Sequence, residues 1–284
     1  MSRLIYAGLL RLKKSKLFWA VLAAITVACV YACVRFSRKS APYYEWMLFE
    51  LTSVLCFVGA AFVGLFAGTE YADGTMRNKL ISGHTRAAIY GANLCVSAIA
   101  CAAFQGIVFV VIGTLGTLLI GTLGQPVQIA FYMLCALLVS VSFAALFMAI
   151  VMISGRKAGA IVAAFAIAFG LILISDGIWD RLLEPQTLQS GPIVVHEDGT
   201  ISMEPDEITE NPLYVPEGAL RDALTVLNSS LPTGQMILLA NRISLIEPPQ
   251  LDISGHWYWP LGSMLFTLMV SAAGFMLFNR KDIK

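Results

Sequence analysis

The sequence predicts an all-α integral membrane protein with six transmembrane helices. Three observations carry that expectation. Of 284 residues, 58% are hydrophobic and only 13% charged, whereas a soluble domain is about 45–50% apolar and about 25% charged. Six stretches, roughly 17–34, 47–68, 88–123, 127–153, 158–178 and 257–278, are apolar enough over the ~20 residues that a spanning helix needs. Outside them the chain is polar and punctuated. The same composition excludes an ordinary soluble enzyme and a disordered chain. A net charge of +1 gives no basic domain for nucleic acid.

The chain begins with a basic amphipathic segment. Leu4, Ile5, Gly8, Leu9 and Leu12 share one stripe, with Arg3, Arg11, Lys13 and Lys14 around the other side. That pattern predicts a helix lying in the membrane interface. No small-residue cleavage site follows the first span, so it does not read as a signal peptide. The third stretch exceeds one simple span, and Gly106, Gly113, Gly116 and Gly121 offer places to bend or pack closely. Gly124-Gln125-Pro126 breaks it from the fourth.

An even number of spans puts both termini on one side. Thirteen Lys and Arg then share that side (Arg3, Arg11, Lys13, Lys14, Lys16, Arg77, Lys79, Arg86, Arg156, Lys157, Arg280, Lys281, Lys284) against six on the other. The positive-inside rule makes it the cytoplasmic side. Residues 1–178 are therefore expected to hold the first five spans, 179–256 an extracellular domain, and 257–284 the last span and a cytoplasmic tail.

The 179–256 segment carries twelve acidic residues against three arginines, net −9. Such a charge excess can attract a cation or simply keep a loop solvated. Pro192 to Val195, a turn at Glu197-Asp198-Gly199-Thr200 and Ile201 to Met203 suggest a β-type portion, making this an α/β-type insertion. Ala219, Leu220, Ala223, Leu224, Leu227 and Leu231 predict a helix whose leucine face is buried, ended by Pro232-Thr233-Gly234 before a second run from Met236 to Ile246. Trp257, Tyr258 and Trp259 mark an interface. His196 and His256 stand alone, and Asn228-Ser229-Ser230 is a sequon. The six cysteines all fall in apolar stretches and predict neither disulfides nor a metal site.

The most informative stretch joins spans two and three: Glu70-Tyr71-Ala72-Asp73-Gly74-Thr75-Met76-Arg77-Asn78-Lys79-Leu80, then Gly83-His84-Thr85-Arg86. Asp73 is a suitable N-cap, Gly83 a suitable terminator, and a helix over about 73–82 would present Met76 and Leu80 beside Arg77 and Lys79. With Ile81, the i, i+4 neighbour of Arg77, they make an exposed Met-Leu-Ile patch, which suits a protein partner.

That run, with Ile89-Tyr90, Leu231-Pro232-Thr233-Gly234-Gln235 and the ending from Phe278 to Ile283, resembles the bacterial ABC type-2 export permeases. The resemblance implies an N-terminal elbow helix and a coupling helix that docks into a separate ATP-binding subunit. It implies that Glu70, Asp73, Gly74, Thr75, Met76, Arg77, Asn78, Lys79, Leu80, Gly83 and Arg86 make that contact, and that a second permease chain, identical or not, completes the transporter. It also implies a multi-pass protein of the bacterial plasma membrane. Relatives export drugs, antimicrobial peptides, lipids, glycans or ions, or confer peptide-antibiotic resistance. The chain has no Gly-x-x-x-x-Gly-Lys-Ser/Thr loop, so ATP and its Mg would be bound by the partner, and no catalytic or metal residues are expected here. Glu50, Asn93 and Gln105 are polar groups at membrane depth and candidates for a substrate path, although Glu50 can reach the interface and the two amides can bond between helices. The competing reading is a membrane sensor or assembly protein that binds a partner through its acidic outer segment.

Overall fold

A computed structural model describes residues 1–38, 44–121, 124–190, 193–195, 201–203, 207–242 and 256–281. The chain runs α1 (Ser2–Lys14), α2 (Lys16–Ser37), α3 (Met47–Ala72), α4 (Thr75–Ile81), α5 (Arg86–Leu119), α6 (Pro126–Ser154) and α7 (Lys157–Leu183). There follow β1 (Thr187–Ser190), β2 (Ile193–Val195), β3 (Ile201–Met203) and β4 (Glu207–Glu210), then α8 (Ala219–Ser230), α9 (Pro232–Arg242) and α10 (Trp259–Arg280). Helices α2, α3, α5, α6, α7 and α10 are each long and apolar enough to cross a bilayer. The six expected spans are all present, and this is an all-α membrane protein.

Helix α6 is the centre of the bundle. It packs on α10, α5, α3, α7 and α9. Its most apolar stretch is 72% buried within the chain, against 22% for α2 and α7 and 17% for α10. The uncovered apolar sides of those outer helices are surfaces that hydrocarbon covers at no cost. At 34 residues, α5 is ~51 Å long at ~1.5 Å per residue, well beyond a ~30 Å hydrocarbon core. It stays one continuous helix. Of its glycines, Gly116 lies against the Tyr44 ring with no room for a Cβ, whereas Gly106 and Gly113 face open space.

Helix α1 turns its predicted stripe inward onto α5. Leu12 is buried, and a Cβ at Gly8 would lie only 2.7 Å from Val96 Cγ2. Ser15 ends α1 in an extended conformation, and its hydroxyl then accepts the Phe18 N–H to begin α2. Helix α1 and the C-terminal end of α10 both lie at the α4 end of the bundle.

The 179–256 segment differs most from expectation. β2 and β3 form the expected antiparallel pair, while the turn at 197–200 and His196 lie outside the described residues. β1 pairs with β4 around them, Thr187 opposite Glu210. Helix α7 runs on to Leu183, past the expected boundary at 178.

The leucine face of α8 is not buried as expected: Leu220 is 64% exposed and Leu227 is exposed, Leu224 and Leu231 are half-buried, and Asn228 and Ser229 are the buried residues. The physical reason is α9. Leu231 turns the chain in an extended conformation, Pro232 starts a new helix, and every residue from Pro232 to Leu239 is buried among α3, α6 and α7. Gly234 has no room for a Cβ because the Asn228 carbonyl lies against it, which fixes the face of α8 that turns inward. Residues 243–246 of the predicted second run lie outside the described residues.

The Leu231-Pro232-Thr233-Gly234-Gln235 run is thus a corner built for burial. Thr233 Oγ1 meets Ser175 Oγ of α7 at 2.6 Å. Gln235 Nε2 donates to the carbonyls of Ser229 at 2.6 Å and Trp259 at 2.9 Å, and Gln235 Oε1 accepts from Ser263 at 2.7 Å. His256, expected to stand alone, is also buried, with Nδ1 3.2 Å from the Tyr132 hydroxyl.

Candidate coupling site

The loop from α3 to α5 has little freedom. Asp73 does not cap α4. It is the C-cap of α3, donating its N–H to the Thr69 carbonyl at 2.9 Å. Gly74 follows at φ +66, a left-handed conformation that glycine adopts without strain, and α4 begins at Thr75. The Thr75 hydroxyl donates back to the Glu70 carbonyl at 3.0 Å. At the other end Gly83 sits at φ +84, its N–H on the Leu80 carbonyl at 3.0 Å and the His84 N–H on the Lys79 carbonyl at 3.2 Å. That pair of bonds is a Schellman terminator. Thr85 then N-caps α5 by accepting the Ala88 N–H at 3.2 Å.

Beneath this loop lies Glu70, on the last turn of α3 and 4% exposed. Its Oε1 accepts from Lys79 of α4 at 2.7 Å and from Arg11 of α1. Its Oε2 accepts from Lys79 at 2.8 Å and from Asn93 Nδ2 of α5 at 2.8 Å. A buried carboxylate is tolerable only with charged and hydrogen-bonding partners of this kind. Arg11 also donates to the Phe66 carbonyl, and its guanidinium lies 3.9 Å from the centroid of the Phe66 ring. One side chain therefore ties α1, α3, α4 and α5 together.

Two basic residues clamp the neighbouring helix ends. Arg86 Nη1 donates to the carbonyls of Phe278 at 3.0 Å, Asn279 at 3.2 Å and Lys281 at 2.5 Å, closing the C-terminus of α10. Lys281 Nζ donates to Ile153 and Met152 at 2.9 and 3.2 Å, and the Tyr71 hydroxyl to Met152 at 3.1 Å, closing α6. Cations suit helix C-termini, where unpaired carbonyls concentrate negative charge. Burial lowers the pKa of the Lys281 ammonium from its usual value.

The residues expected to contact a partner divide into two sets. Glu70 and Met76 face inward, Met76 being 1% exposed, and Arg86 is committed to α10. Lys79 and Leu80 are half-buried, the first on Glu70 and the second against the core. Asp73, Thr75, Arg77, Asn78 and Gly83 are exposed, with Gly74 half-buried at the turn. Of the expected Met-Leu-Ile patch, Ile81 is 73% exposed, and the exposed Ser82 and His84 were not singled out in the sequence. Met76 and Ile81 are five residues apart, hence about 140° apart at 3.6 residues per turn. If Met76 anchors the inner face, Ile81 has to point away.

The three candidates for a substrate path are not brought together. Asn93 serves Glu70. Gln105, twelve residues and ~18 Å further along α5, is fully buried and accepts from Ser140 of α6 at 3.3 Å. Glu50 is exposed on the first turn of α3, beside a hollow lined by Phe36, Trp46 and Ile112. Among the described residues, no cluster of His, Cys, Asp or Glu could hold a metal ion.

A family model described as ABC-2 family transporter protein matches residues 4–175, from α1 through most of α7. The chain belongs to the ABC-2 transporter family. It is a membrane-spanning permease subunit of an ABC transporter, and that membership implies an ATP-binding partner. No curated protein matches the chain.

Proposed function

We propose that this permease forms the membrane path of an ATP-driven exporter and that α4 is its coupling helix. The observation that carries the reading is the division of α4 into two faces. Its inner face is fixed through Met76 and the Lys79–Glu70 pair, while Arg77, Asn78 and Ile81 stand uncovered at the end of the bundle. An Arg and an aliphatic side chain beside each other are what a protein interface buries to effect. Movement imposed on α4 by a nucleotide-driven partner would pass through Glu70 to α1, α3 and α5 together. In this reading the docking contacts are Asp73, Thr75, Arg77, Asn78, Ile81 and Ser82, with Leu80 at the edge. Glu70, Met76, Lys79 and Arg86 hold the helix in place.

The charge asymmetry of thirteen Lys and Arg against six supports a cytoplasmic α4 end with both termini, and an external 179–256 segment. Six spans make half of a transporter, so a second permease chain completes it in a bacterial plasma membrane. The cargo class is an amphipathic peptide, drug or lipid. In inside-out vesicles holding the complex, ATP is expected to drive at least one member of a fluorescent amphipathic panel into the lumen. ATP-driven loss from preloaded vesicles would contradict export.

A further inference from the structure

At the α4 end of the bundle, a cavity of about 180 Å3 opens between α1 and α4. Leu4, Ala7 and Arg11 line it from one face of α1, Thr75 and Lys79 from α4, and Glu70 from the last turn of α3. Glu70 lies deep, whereas the two cations reach water: the Arg11 side chain is 36% exposed and that of Lys79 26%. Their charge exceeds what Glu70 neutralises, since two cations share one carboxylate. Their donors exceed it as well. An ammonium has three N–H groups, and Lys79 gives two to Glu70. A guanidinium has five, of which Arg11 gives one to Glu70 and one to the Phe66 carbonyl.

We propose that this cavity holds the phosphate of an anionic phospholipid of the cytoplasmic leaflet, a lipid that stays with the permease and is not its cargo. A phosphodiester carries one negative charge, which matches the surplus. Its two free oxygens accept from an ammonium and a guanidinium together. The setting points to lipid rather than free phosphate. Tyr6 of α1 and Trp19 at the start of α2 are exposed, as aromatic groups at headgroup depth are. The Trp19 indole donates to the Lys13 carbonyl at 2.8 Å, which holds the ring at the α1–α2 corner. Exposed Arg3, Lys13, Lys14 and Lys16 surround the same corner, and basic groups there gather anionic headgroups. Leu4 and Ala7 give the cavity an aliphatic wall beside its charged end, which a glycerol backbone and the start of an acyl chain can cover and inorganic phosphate cannot. A zwitterionic headgroup brings its own cation and leaves the surplus uncompensated. A lipid held here joins α1 to α4 from outside, in addition to the Glu70 contacts that join them within. The inference deepens the coupling reading by adding a lipid to the α4 site, and it rests on the proposed orientation only in naming the leaflet.

The test uses the full permease chain in maltoside micelles without an ATP-binding subunit, so its outcome is independent of coupling and of export. Native mass spectrometry reads the retention of dioctanoylphosphatidylglycerol against dioctanoylphosphatidylcholine. The anionic lipid is expected to bind roughly fivefold more tightly or better, about the worth of one basic residue toward an anionic headgroup. Ala7→Glu sets a carboxylate at the cavity while leaving the Glu70 contacts in place, and should lower that affinity by about fivefold or more. Lys79→Met should do the same. Lys13→Gln makes the same change of net charge at a residue that does not line the cavity, and should leave the affinity nearly unchanged. Should Lys79→Met fail to fold, Ala7→Glu against Lys13→Gln decides the matter. Equal retention of the two lipids by the wild type would overturn the proposal. Equal losses in Ala7→Glu and Lys13→Gln would do so too, since they would reveal only diffuse attraction to a basic helix. Inorganic phosphate that displaces the anionic lipid at equal concentration would assign the cavity to a free anion and overturn the lipid.

Discussion

Glu70→Gln is expected to loosen the whole α4 end of the permease. The substitution keeps the shape of the side chain but leaves Arg11 and Lys79 facing a neutral amide, with their mutual repulsion uncompensated. Removing one partner of a buried ion pair costs ~3–5 kcal/mol. Arg11 and Lys79 are 36% and 26% exposed, so water screens part of that loss, and about 2–3 kcal/mol is the expected effect. Thermal unfolding of the purified chain should report it as a lowered Tm. Adding Lys79→Met to Glu70→Gln should cost less than the sum of the two single changes, because the second removes a cation the first has orphaned. Nucleotide hydrolysis in the assembled complex should continue but lose its response to cargo. A double variant whose losses simply add would contradict the role given to Glu70.

Changes on the outer face of α4 should behave in the opposite way. Arg77 and Ile81 are exposed in the chain, so Arg77→Glu with Ile81→Asp should leave the Tm of the isolated permease unchanged. Co-purification with the ATP-binding subunit should fall sharply. An interface anchor is worth about 2 kcal/mol or more, roughly thirtyfold in affinity. Met76→Asp provides the contrast, since a charge placed in that buried position should prevent folding rather than assembly.

The spans were legible because each needs only a run of apolar residues, and Pro126, Gly155 and Thr85 mark helix ends by local chemistry. Interior organisation was less accessible. Glu70 stands in a recognisable run, yet its partners Arg11 and Asn93 are 59 and 23 residues away, and no periodicity links them. The place of α4 is legible in the loop, whereas its inward face is not. Met76 and Leu80 form an apolar pair at helical spacing, and such a pair serves the chain's own core as readily as a partner's groove. Helix α9 was hidden for a different reason. Eleven residues cannot cross a bilayer, so an apolar run of that length inside an acidic segment reads as part of the external domain. The close approach of Gly234 to Asn228 sets α9 against the inner face of α8, with Leu220 and Leu227 on the uncovered side.

On the proposed reading, the outer face of α4 is held by the ATP-binding subunit. Cysteine cross-linking in the assembled complex tests this most directly, after the six native cysteines have been replaced. Ile81→Cys and Asn78→Cys should each link to the ATP-binding subunit through a short bismaleimide, with yields that change between nucleotide-free and ATP-bound states. Met76→Cys, buried beneath the same helix, should not link. A functional complex in which neither Ile81→Cys nor Asn78→Cys links, while Arg156→Cys between α6 and α7 does, would contradict this role for α4.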